Sequence, residues 1–68
     1  MLNKSQTKPE WAVLIKALRK HYKETQTEFA VRFNVTQVAV HYWEIGTYEP
    51  PADVLLLAMK EWTNGKAK

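Results

Sequence analysis

The side chains of this 68-residue chain that can do chemistry are suited to holding a partner rather than transforming one. His21 and His41 are the two histidines and cysteine is absent, too little for a metal-ligand set. No nucleophile stands with a base, no glycine-rich phosphate loop occurs and no carboxylates cluster, so neither catalysis, a cofactor nor a small-molecule substrate is expected. What remains is recognition chemistry, concentrated in the run Gln37, Val38, Ala39, Val40, His41, Tyr42, Trp43, Glu44. A glutamine amide can donate and accept along one edge, a tyrosine hydroxyl can donate, valine offers only an apolar surface, and protonation of His41 would add positive charge.

The cations lie elsewhere. Lys4, Lys8, Lys16, Arg19, Lys20 and Lys23 precede Glu24 with Glu10 as the sole acid among them, whereas the stretch from Glu24 to Glu49 carries four glutamates against Arg32. The net charge of +3 is therefore a basic front followed by an acidic middle. Any polyanion would meet its countercharge at the front, with Lys4, Lys8, Lys20 and Lys23 as candidates.

Positioning these groups requires rigid elements, and the sequence marks four or so short helices. Residues 1–6 carry no periodic pattern and read as a flexible arm. Thr7, Lys8, Pro9, Glu10 has the form of a capping box, and Trp11, Leu14, Ile15, Leu18 and Tyr22 follow at helical spacing, predicting a first helix to about His21 with Trp11 in the core. A second capping box, Thr25 to Glu28, opens a short helix with Phe29, Ala30 and Phe33 inward. Asn34 suits a left-handed turn residue. Thr36 caps a third helix, Gln37 to Glu44, with Val40 and Trp43 inward and Gly46 as its stop. Pro50 and Pro51 make a connection. A fourth helix runs through Trp62 to a stop at Asn64 and Gly65, leaving 64–68 as a frayed tail and 7–63 as one domain.

A hydrophobic fraction of 46% supports one packed core without disulfides. The longest apolar run, Val54 to Met59, falls far short of the roughly 20 residues of a spanning helix, and no signal-like stretch opens the chain, so a cytoplasmic, all-α domain away from membranes is expected. That apolar run is more than one helix at the edge of so small a core can bury, which points to a partner surface.

Two short helices joined by a tight turn, the second with an exposed polar face, form the unit that sets a recognition helix into the major groove of double-stranded DNA. Ala30 is small where the two helices must cross, Asn34 allows the turn, and Phe29, Phe33, Val35, Val40 and Trp43 lock the angle. Over about Trp11 to Trp62 the chain resembles the phage repressor and Cro (XRE-type) helix-turn-helix family, a compact bundle of four to five helices. The carriers are Leu18 Arg19, Thr25 Gln26 Thr27 Glu28 Phe29 Ala30, Val35 Thr36, and Trp43 Glu44 Ile45 Gly46 with Pro50 beyond. The resemblance implies a repressor-like transcriptional regulator with Gln37, Val38 and Tyr42 at base edges, and His41 on the neighbouring strip. It implies Gln26 at a phosphate, and beside it Thr25, Thr36 and the cations Lys20 and Lys23 are the further candidates for the DNA backbone. It implies an ion pair between Arg19 and Glu44 that ties the first helix to the third. Glutamine matches adenine N6 and N7, whereas valine touches a thymine methyl.

The third helix departs from this pattern in having no Lys or Arg. That motivates an alternative, a protein-interaction module that keeps the fold and binds a partner through exposed apolar residues of helix three or four. A homodimer would let two copies read half-sites one helical turn apart, with Leu56, Leu57 and Met59 as the contact.

Overall fold

The computed structural model describes residues 8–67, with side chains through residue 65. Four helices follow in order: α1 (Glu10–His21), α2 (Gln26–Phe33), α3 (Gln37–Ile45) and α4 (Ala52–Ala67). There is no strand among the described residues. The 1–6 arm, the Thr7 cap and Lys4 lie outside them. Pro9, not Thr7, occupies the position before α1, with no side-chain cap; its carbonyl accepts from the amides of Ala12 and Val13.

Helices α1, α2 and α3 end the same way. Glu24 donates its amide to the Arg19 carbonyl, Val35 to Ala30 and Thr47 to Tyr42, each bond spanning five residues and closing a Schellman-type turn. The residue at the bend takes a left-handed backbone: Lys23 at φ 59°, Asn34 at φ 59° and Gly46 at φ 87°. Asn34 and Gly46 are suited to that region; Lys23 is not, and its side chain makes the turn costlier. Gly46 is required twice over, because a Cβ there would also sit 3.0 Å from Cδ of Pro9.

The core is built from Ile15 and Leu18 of α1, Phe29, Ala30 and Phe33 of α2, Val40 and Trp43 of α3, and Ala58 of α4. The Phe29 and Phe33 rings pack 4.7 Å apart, centroid to centroid. Helix α1 lies against both α3 and α4, and α2 lies against α3. The contribution of α4 is slight: of its described side chains, Ala58 alone is fully buried, while Leu56, Leu57 and Met59 are exposed.

Two expectations need correction. Trp11 is half-buried rather than part of the core: it faces α4 and lines an open groove of about 380 Å³ with Leu14, Leu55, Met59 and Trp62. It sits a turn beyond Ile15, where α4 covers α1 incompletely. The stop expected at Asn64 and Gly65 is also absent, for α4 continues to Ala67. Gly65 keeps ordinary helical backbone, and an added Cβ would lie 3.1 Å from Nε2 of His21. Its small size serves the approach of α1 instead of a turn.

Candidate nucleic-acid interface

The unit of α2, its three-residue turn and α3 is assembled by local chemistry. The Thr25 hydroxyl accepts from the Glu28 amide at 3.1 Å while the Glu28 carboxylate accepts from the Thr25 amide at 2.8 Å, a reciprocal cap that starts α2. The Thr36 hydroxyl accepts from the Ala39 amide at 3.1 Å and starts α3. Both hydroxyls are used as acceptors, so each keeps its own O–H to donate outward.

Behind this unit lies a chain of polar contacts that begins in the interior and ends at the surface. Arg19 donates from Nε to Glu44 Oε2 at 2.6 Å and from Nη2 to Oε1 at 3.0 Å, a two-pronged pair between α1 and α3. A third donor, Nη1, reaches the carbonyl of Glu24 at 2.9 Å and holds the α1–α2 turn. Gln26 donates from Nε2 to Glu44 Oε1 at 3.1 Å, and Gln37 donates from Nε2 to Gln26 Oε1 at 2.6 Å. The direction of the chain is forced. An ionised carboxylate only accepts, so Gln26 must turn its NH₂ inward and its oxygen outward, and Gln37 must offer its NH₂ in turn.

Glu44 is 4% exposed and is the one buried charged side chain among the described residues. Burial pushes its carboxyl toward the neutral form. The hydrogen bonds from Arg19 and Gln26 and the charges of Arg19 and Lys16 outweigh burial, and the net direction is down from the ordinary carboxylate range. The guanidinium of Arg19 is held more firmly protonated, chiefly by its bonds to Glu44.

Outside, Gln37, Val38, His41 and Tyr42 all stand exposed on one side of α3. Tyr42 is braced at the margin by Tyr48, whose ring meets it edge-on with centroids 5.4 Å apart. Tyr48 had no periodicity to mark it, being in a loop; its proximity to Tyr42 is the observation that adds it to this surface. Lys20, Lys23 and Thr25 are exposed where α1 hands over to α2. Leu56, Leu57 and Met59 belong to α4 and take no part in the α2–α3 unit. No group of His, Asp or Glu that could hold a metal ion occurs among the described residues, and none of the described helices is long and apolar enough to cross a membrane.

A family model described as helix-turn-helix matches residues 15–60, which takes in all of α2 and α3 and the packed parts of α1 and α4. The chain belongs to the helix-turn-helix family, of the Cro and lambda-repressor type. This helix-turn-helix family is one of DNA-binding transcription regulators whose domains engage double-stranded DNA. No curated protein and no solved structure matches the chain.

Proposed function

We propose that this helix-turn-helix domain is a sequence-specific, repressor-like regulator that lays α3 in the major groove. The observation that carries the reading is the Gln37 amide. With one N–H given to Gln26, it keeps a second N–H and a free Oε1. That leftover pair, one donor and one acceptor, is what the N7 and N6 edge of adenine requires. Val38 stands beside it for a thymine methyl, and His41 and Tyr42 extend the same face. Gln26 also retains one N–H, which together with the amides at the start of α2, the hydroxyls of Thr25 and Thr36, and the ammonium groups of Lys20 and Lys23 would grip phosphates. The charge that α3 lacks is supplied from this flank. Two copies of the chain would read paired half-sites.

Selection of bound fragments from random duplex DNA tests this. The expected result is an enriched motif containing an adenine whose preference vanishes in Gln37→Ala, with a loss of about 1–3 kcal/mol in binding to that motif. Unchanged enrichment and affinity in Gln37→Ala would remove α3 as the reader. The uncharged α3 favours one rival, a domain that uses this surface to bind protein. Salt separates the two: DNA affinity falls steeply as ionic strength rises, whereas an apolar protein contact hardly responds.

A further inference from the structure

We infer that the groove between α1 and α4 is a binding site for a small organic cation, an alkylated ammonium carried on an apolar body. The inference is independent of the reading of α3, because the α2–α3 unit contributes no residue to the groove. One wall carries Glu10, Trp11 and Leu14 of α1, and the other carries Leu55, Met59 and Trp62 of α4. The volume of about 380 Å³ falls at the lower end of small-molecule sites and accommodates one aromatic ring with a branched head.

The chemistry of the lining selects the occupant. Two tryptophans, one from each helix, are left half-buried here, whereas the third, Trp43, is packed into the core at 5% exposed. Indole attracts a cation over its face more strongly than any other side-chain ring. Charge agrees with this. The chain holds ten Lys and Arg against seven Asp and Glu, yet the one charged residue lining the groove is the acid Glu10. Glu10 is exposed, and its side chain has no partner among the described residues, where the ion pairs are Arg19–Glu44 and Arg32–Glu24. Its carboxylate is thus uncommitted at the rim of an aromatic groove. Met59, 49% exposed, adds a flexible and polarisable thioether that can close on bodies of different outline. An anion would be repelled by the same carboxylate, and a neutral body would gain nothing from it.

Titration of the full chain with benzyltrimethylammonium, followed by NMR without DNA, tests the site. The indole N–H signals of Trp11 and Trp62 should move and that of Trp43 should stay, with a Kd on the order of 1 mM for so small a probe. Phenylacetate, an anion of similar size, should bind about tenfold more weakly. Glu10→Gln, an exposed change, should weaken the cation about fivefold and leave neutral 2-phenylethanol unaffected. Trp11→Leu keeps the wall apolar but removes the ring, and should also cost the cation about fivefold. Glu28→Gln removes the same charge from α2 while retaining its cap, and should bind the cation as the wild type does. Circular dichroism confirms that each variant is folded. Unmoved groove indoles, equal binding of phenylacetate, or unchanged affinity in Glu10→Gln would each overturn the site. An equal loss in Glu28→Gln would do so too, by marking an effect of net charge alone.

Discussion

Helix α1 is joined to its two neighbours by unlike means. Toward α3 it offers Arg19, whose guanidinium reaches two carboxylate oxygens and a carbonyl, so that the polar groups between the helices are matched. Toward α4 it offers Trp11 and Leu14, which leave an open groove and a half-buried indole, with a single hydrogen bond at its far end, from the Tyr22 hydroxyl to the Glu61 carboxylate. The first contact fixes orientation, because directional bonds have one solution. The second tolerates displacement at the Trp11 end, because apolar contact is indifferent to small rotations and its directional bond lies at the Tyr22 end. The element that the proposed reading requires to be aimed, α3, is on the directional side.

The contrast is tested most severely by removing one partner of the buried pair. Glu44→Ala strands Arg19 and should lower unfolding free energy in urea by about 3–5 kcal/mol. Arg19→Met with Glu44→Leu should recover most of that loss while loosening the aim of α3, seen as reduced base discrimination. On the other side, Trp11→Ala should cost about 1–2 kcal/mol, since only part of its surface leaves water. Equal losses on both sides would erase the distinction.

Protons reach the same pair more gently. Because the folded-state pKa of Glu44 is depressed, its contribution is complete above the ordinary carboxylate range and disappears as pH falls through the lower, folded-state value. Urea unfolding across the acid range should therefore show a steeper decline for the wild type than for Glu44→Gln. At the alkaline end Tyr22 behaves in the opposite sense. Burial, followed by its hydrogen bond to Glu61, pushes the phenol up to about 12, so its contribution holds below the ordinary tyrosine range and is lost as pH rises through about 12. Tyr22→Phe should flatten that alkaline decline.

The three left-handed bends supply the finest comparison. Gly46→Ala should destabilise by about 1–2 kcal/mol from the backbone alone, with the contact to Pro9 adding to it. Lys23→Gly relieves the same conformation and should stabilise by about 0.5 kcal/mol, the relief being partly offset by a freer unfolded chain. If Lys23 grips a phosphate, that more stable variant binds DNA more weakly and the salt dependence drops by about one ion. A gain in stability with unchanged salt dependence would deny Lys23 that contact.

What could be read from the sequence was what local chemistry decides. The caps at Thr25 and Thr36, the bends at Asn34 and Gly46, and the inward faces of α2 and α3 follow from residue type and spacing within a few positions. Tertiary packing decided the rest. Trp11 follows the same periodicity as Leu18 yet lies where α4 covers α1 poorly, and Gly65 has the composition of a stop but is small to admit His21. The link from Gln26 to Gln37 was invisible because it crosses a turn between two amides of ambiguous direction. Only the position of the Glu44 carboxylate resolves which atom of each faces which.

Of the outward residues on α3, Val38, His41, Tyr42 and Ile45 lie outside the packed interior, Tyr42 meeting only the exposed ring of Tyr48. Gln37 alone is wired to the scaffold. Under the proposed reading, substitutions at those exposed positions would change what the helix says at little cost to stability, while Gln37 stays tethered to what keeps the helix pointed.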